Sequence, residues 1–218
     1  MSYQIAIDGP AGAGKSTIAK IVAKKKGFIY VDTGAMYRAM ALHMIKNNID
    51  GNDSEKVAKE CDNANVTLKY IDGEQVVLLN DENVNAFLRT EEVGNMASIT
   101  AKNPTLRKKV TDLQIELANT NDVVMDGRDI GTCVLPNAQV KVYLTASSEV
   151  RAKRRYDELM AKGESADIKK IEEDIILRDH QDMTREISPL KQADDAVLVD
   201  SSNMTIEEVA DKIISLCE

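Results

Sequence analysis

Five short apolar runs punctuate the chain, at Tyr3–Ile7, Phe28–Val31, Val123–Met125, Val140–Leu144 and Ala196–Val199. Each is too short for a helix and mostly apolar, broken only by Gln4 in the first and Lys141 in the fourth, as suits a strand covered on both faces. Each is followed at once by a polar residue: Asp8, Asp32, Asp126, Thr145 and Asp200. Stretches of helical periodicity separate the runs. After the first, Ile18, Ile21 and Val22 share a face, Lys20, Lys24 and Lys25 fall mostly opposite, and Gly27 supplies a stop. This alternation predicts an α/β fold built on a five-stranded parallel sheet with right-handed crossovers. Ligands of such sheets lie beyond the carboxyl ends of the strands, so the polar residues should gather along the working edge.

Two stretches break the alternation. Between the second and third runs, Thr33 is placed to cap a helix with Met36, Met40 and Met44 on one face. Val66–Ile71 and Gln75–Leu79 then flank Asp72-Gly73, a hairpin signal. An antiparallel hairpin within a parallel chain predicts an inserted subdomain over residues 35–100. Between the fourth and fifth runs, Ser147 to Leu190 is helical and strongly charged, with Arg151, Lys153, Arg154, Arg155, Arg178 and Arg185. The final helix opens on a capping box, Thr205-Ile-Glu-Glu208, and carries a stripe of Ile206, Val209, Ile213 and Leu216.

The chemistry begins at Gly9-Pro10-Ala11-Gly12-Ala13-Gly14-Lys15-Ser16, which fits GxxxxGK[ST] at every fixed position. A chance match arises in roughly one chain of this length in a hundred. Here the string also follows a strand and opens a helix. Backbone N–H groups and the positive end of the helix dipole then converge on an anion. Lys15 would reach the β- and γ-phosphates of a nucleotide, and the Ser16 hydroxyl would ligate Mg²⁺. The loop does not say what becomes of the phosphate, because kinases, GTPases, motor ATPases and nucleotide-regulated binders share it.

Other constellations narrow the choice. Asp126 closes an apolar strand, the usual second Mg²⁺ anchor in such proteins, although a strand-end aspartate also serves to bond nearby backbone. In Asp126-Gly-Arg-Asp129, Arg128 can fork onto a phosphate and Asp129 can accept from an amino group. Thr33 at a helix start and Arg38 suit a second anion, with Tyr37 packing on a base or sugar. Arg178, Asp182 and Arg185 are spaced to share a helical face. Such charges form either a solvated helix or a lid that excludes water and closes cations over a transferring phosphoryl group.

Composition sets the limits. The chain has 218 residues, 29% charged and 43% apolar, and a formal net charge of −8. That balance suits a globular protein and opposes non-specific binding to nucleic acid or an anionic membrane. Cys61, Cys133 and Cys217 form no metal or redox pattern, in keeping with a reducing compartment. His43 and His180 stand outside any catalytic pattern and read as structural or solvated. The N-terminus shows no signal or transit peptide and no run approaches a membrane span, so a cytoplasmic protein is expected.

Taken in order, Asp8–Ser16, Asp32–Arg38, Arg89–Val93, Asp126–Gly131, Arg154-Arg155 and Arg178–Arg185 resemble the bacterial cytidylate kinases, a branch of the nucleoside monophosphate kinases. The resemblance covers essentially the whole chain. It implies a three-part molecule: a P-loop core (1–34, 101–147 and 187–218), a monophosphate-binding insertion (35–100) and a lid (148–186). It implies ATP as donor, bound by Gly9 to Thr17 and Arg154, with Mg²⁺ at Ser16 and Asp126. Thr33, Arg38, Arg128 and Arg185 would hold the phosphate of CMP or dCMP; Ser98, Arg107 and Asp129 would read cytosine; Asp182 and Arg178 would hold the ribose, with Tyr37 beside them. Lys15, Arg128, Arg155 and Arg178 would stabilise the transferring group. Thr33 stands where the family carries serine and keeps the hydroxyl. A monomer with small-molecule substrates is expected. Two alternatives stay open: another small P-loop kinase, for uridylate, adenylate, thymidylate or shikimate, and a nucleotide-gated switch. The absence of the guanine-reading [NT]KxD motif weighs against a GTPase switch.

Overall fold

The computed structural model describes residues 2–71 and 74–217. Its elements are, in chain order, β1 (Gln4–Asp8), α1 (Lys15–Lys26), β2 (Ile29–Asp32), α2 (Thr33–Lys46), α3 (Ser54–Glu60), β3 (Val66–Ile71), β4 (Glu74–Leu79), β5 (Glu82–Asn83), α4 (Glu91–Thr100), α5 (Pro104–Thr120), β6 (Val123–Gly127), β7 (Val140–Thr145), α6 (Ser148–Ala161), α7 (Ile168–Thr184), β8 (Val197–Asp200) and α8 (Ile206–Ser215). They form two compact units: Met1–Tyr30 with Asn121–Glu218, and Val31–Thr120.

The sheet of five strands runs β2-β6-β1-β7-β8, with β1 paired in parallel to β6 and β7, and β7 to β8. Each of the five apolar runs is a strand, and each polar follower is the last or near-last residue of its strand. The central strand ends at Asp8, level with Gly127 on one side and Tyr143 on the other. Ile5, Ile7, Val124, Val142 and Leu144 of the sheet pack with Ile18 and Val22 of α1 and Val209 and Ile213 of α8. Lys20, Lys24 and Lys25 of α1 face water, and Gly27 ends it in the left-handed region at φ 72°. The capping box of α8 forms as expected. Its stripe is Val209, Ala210 and Ile213, with Leu216 packed against them. Ile206 is about half exposed, 48%, because as the first helical residue it lies where the packed face ends.

The second unit carries a sheet ordered β3-β4-β5. The hairpin pairs Val66 with Leu79 through Ile71 with Glu74; its turn, Asp72-Gly73, lies outside the described residues. Met36, Met40 and Met44 of α2 are fully buried, as their spacing requires. The cap of α2 differs from expectation. Asp32 rather than Thr33 accepts the Ala35 N–H, at 2.8 Å, because the helix already begins at Thr33. In the same way α7 ends at Thr184, so Arg185 is extended and leaves the helical face that its spacing suggested.

Candidate active site

In the first unit the loop after β1 is shaped by close approach. Gly9 sits at φ 147°, and a Cβ there would lie 1.9 Å from the Leu144 carbonyl oxygen, so no side chain fits. Gly14 takes φ 89° and precedes α1, and the Ile18 N–H closes onto its carbonyl. Ala13 is buried, Thr17 is exposed, and Lys15 is buried beneath the loop, where its Nζ donates to the Pro10 carbonyl at 2.7 Å. Burial, then the facing Arg128 guanidinium, draws the Lys15 ammonium down to about 7; Asp126, Asp8 and Asp182 oppose the shift. A lysine so placed lacks a full anionic partner, and an arriving phosphate would supply one.

The Ser16 hydroxyl donates to Asp126 Oδ2 at 2.8 Å, and Tyr30 donates to Asp126 Oδ1 at 2.9 Å. The helix start and the strand end that the sequence marked separately thus meet. Two oxygen donors of this kind suit a hard divalent cation.

Beside them Asp8 is buried and accepts the N–H groups of Ile130, at 2.8 Å, and Gly131, at 2.7 Å. Burial pushes its carboxyl up to about 6, against the pull of those two bonds. These contacts pin a wide helical turn, residues 130–134, directly after Arg128 and Asp129. Arg128 Nε donates to Asp182 Oδ2 at 2.9 Å. Arg185 lies 3.6 Å from both Asp129 and Asp182 and donates through Nε to the Ser188 carbonyl at 2.6 Å. Burial pushes the Asp182 carboxyl up, but Arg128, Arg185 and Arg178 together hold it below the usual range. Arg178, Asp182, Arg185, Arg128 and Asp129 therefore form one charged cluster.

The arginines of α6 differ from one another. Arg154 donates to the Ser201 carbonyl and hydroxyl, and Arg155 pairs with Glu158 on the exposed side of α6. Arg151 is buried: it donates to the Ala146 carbonyl, to the Ala11 carbonyl of the loop, and to Asp179 at 2.6 Å. Tyr30 and Asp179 escape a sequence-based reading; Asp8, at a strand end, and Arg151, among the arginines of the charged segment, are marked in the sequence, but the partners they meet are not.

In the second unit Thr33 is buried at the start of α2. Arg38 Nη2 donates to both oxygens of Asp32 at 3.2 Å. The Arg107 guanidinium lies over the Tyr37 ring, 5.2 Å from its centre, and Arg107 Nε donates to the Ala101 carbonyl. Ser98 donates to the Gly94 carbonyl at 3.2 Å. His43, as expected, is structural: it is buried and bonded to Glu60 at 2.8 Å.

A glycine loop closing on a helix start, a buried lysine under it and a serine bonded to a strand-end aspartate define the nucleotide-phosphate site of a P-loop protein. The fold is shared with the shikimate kinase of Bacteroides thetaiotaomicron, which aligns over 99% of this chain and 98% of its own, with a TM-score of 0.50 at 13% identity. Within this class the chain belongs to the cytidylate kinase family, whose model matches residues 5–218. The cytidylate kinase of Caldicellulosiruptor saccharolyticus is 50% identical over 97% of this chain and 94% of its own length. That of Listeria welshimeri is 51% identical over 98% and 95%. Membership of a kinase family implies ATP as the phosphoryl donor. No helix among the described residues is long and apolar enough to cross a membrane.

Proposed function

We propose that this chain transfers the γ-phosphoryl group of ATP to CMP or dCMP, giving CDP or dCDP and ADP. The observation that carries the choice of CMP or dCMP is membership of the cytidylate kinase family, and the site that suits phosphoryl transfer is the loop with Lys15 and the bonded pair Ser16 and Asp126. The residues from Gly9 to Thr17 wrap the ATP phosphates with backbone N–H groups, and Lys15 regains its full charge against them. Arg154 and Arg155 of the lid, residues 148–186, close on the donor, with the core at 1–34, 101–147 and 187–218 and the monophosphate-binding part at 35–100. Ser16 and Asp126 fit Mg²⁺, which takes few protein ligands and draws the rest from phosphate and water. Bound there, the ion neutralises charge on the β- and γ-oxygens.

An oxygen of the CMP phosphate attacks the γ-phosphorus, and the bond to the β–γ bridging oxygen breaks. The acceptor is a phosphate monoester with a second pKa near 6, so it is mostly deprotonated at neutral pH and needs no general base. Thr33, Arg38, Arg128 and Arg185 hold that phosphate; Lys15, Arg128, Arg155 and Arg178 stabilise the charge of the transferring group. Asp182 and Arg178 hold the sugar, Tyr37 packs against the nucleoside, and Ser98, Arg107 and Asp129 read the base. On this reading the chain acts as a monomer on small-molecule substrates. The test is ADP release with ATP, Mg²⁺ and each of CMP, dCMP, UMP, AMP, dTMP and shikimate. CMP and dCMP should give the fastest release. Release with them no faster than without an acceptor overturns the reading.

A further inference from the structure

One motif stays without a task in that scheme: Arg89 and the carboxylate it meets. Asp32 serves three donors at once. Oδ1 caps α2 by accepting the Ala35 N–H at 2.8 Å, both oxygens accept Arg38 Nη2, and Oδ2 accepts Arg89 Nη2 at 2.9 Å. Its own N–H donates to Gln75 Oε1 of β4 at 2.9 Å, so the hairpin also bears on its position. Arg38 folds back over the first turn of its helix, where a Cβ on Gly34 would lie 3.0 Å from its Nη1.

The charges explain why two arginines share one carboxylate. Asp32 and Arg38 alone form a neutral pair, which offers a dianionic phosphate little attraction. Adding Arg89 leaves the group with one net positive charge beside the positive end of a helix of 14 residues. The Arg89 side chain is 69% exposed, and an ion pair in that setting adds little to folding stability. Its placement therefore calls for a reason other than stability.

We propose that Asp32 and Arg89 are positioning residues for the monophosphate: Asp32 fixes the Arg38 guanidinium, and Arg89 restores the positive charge that this carboxylate cancels. The proposal rests on the reading of Arg38 as a phosphate ligand.

The test uses Arg89→Gln, Arg89→Lys and Asp32→Asn in the full chain. Asparagine caps a helix as well as aspartate does, so Asp32→Asn removes the charge and keeps the cap. Arg89→Gln should raise the KM for CMP about tenfold, with KM for ATP within twofold and kcat within threefold. Arg89→Lys should recover most of the loss. Binding of cytidine, which has no phosphate, should not change. In the Asp32→Asn background, where Arg89 has lost its anchor, Arg89→Gln should add less than twofold. The proposal is overturned if Arg89→Gln leaves KM for CMP within twofold, raises KM for ATP or weakens cytidine equally, or acts in full in the Asp32→Asn background. Failure of the active-site reading looks different: the unaltered chain would then not phosphorylate CMP at all.

Discussion

The buried Arg151–Asp179 pair gives a prediction whose size follows from the contacts. Arg151→Met keeps most of the side-chain volume and removes three hydrogen bonds: to Ala146, to Ala11 and to Asp179. The side chains of the pair are 7% and 11% exposed, so solvent does little to replace what is lost. Asp179 Oδ1 already lacks a partner, and after the substitution the whole carboxylate stands uncompensated. Breaking a buried pair from one side destabilises by about 3–5 kcal/mol. Removing both charges in Arg151→Met/Asp179→Leu relieves that term and leaves two carbonyls short of a donor, at about 1 kcal/mol each. The double variant should therefore be more stable than the single one. Hydrogen exchange at the amides of Val142 and Leu144, in the buried strand β7, reports opening of the first unit itself. Since about 1.4 kcal/mol is a factor of ten, exchange there should quicken by roughly 10²-fold or more in Arg151→Met and by about 30-fold in the double variant. A single variant within fivefold of the unaltered chain, or a double variant faster than the single, refutes the reasoning.

Three further outcomes follow from the site. Lys15→Ala should lower kcat by at least about 10³-fold, because its ammonium acts on the transferring phosphates; its burial disfavours the charge, so thermal melting should not drop, and near-normal turnover in the folded variant would count against the assignment. Asp129→Ala should shrink the CMP-to-UMP ratio of kcat/KM by at least about tenfold, because a carboxylate accepts from the cytosine amino group and repels the uracil carbonyl; an equal loss for both substrates would make Asp129 a scaffold residue. Asp8 holds its proton more tightly folded, to about 6, than unfolded, at 3.8, so its contribution is fully present below pH 3.8 and is lost as pH rises through 6. Unfolding free energy of the unaltered chain relative to Asp8→Asn should thus fall by about 3 kcal/mol from pH 3.5 to pH 7, and a flat difference would show that Asp8 is not perturbed.

Much of the architecture is legible in the residue order because its causes are local. A run such as Val123–Met125 is apolar on both faces only if both are covered, which already means a central strand. Gly27, Thr205 and Glu208 act on neighbours within four residues, and helix ends built that way are visible in the chain. The phosphate loop is legible for the same reason: its glycines, lysine and serine are consecutive. Local signals fail where two candidates compete within one residue, as at Asp32 and Thr33, or where a helix stops one residue early, as at Thr184. What the order of residues leaves open is which charges meet. Arg151 and Arg155 stand four apart on one helix and read alike, yet only the packing of α6 buries the first against Asp179 and leaves the second in water. Asp8 and Gly131, 123 positions apart, are joined by β1 pairing with β6, and Ser16 and Asp126, 110 apart, by the loop turning back over the sheet edge. Arg89 reaches Asp32 across 57 positions. The charge state and aim of each group depend on neighbours distant in the chain, so electrostatics is decided by tertiary structure where periodicity and capping are not.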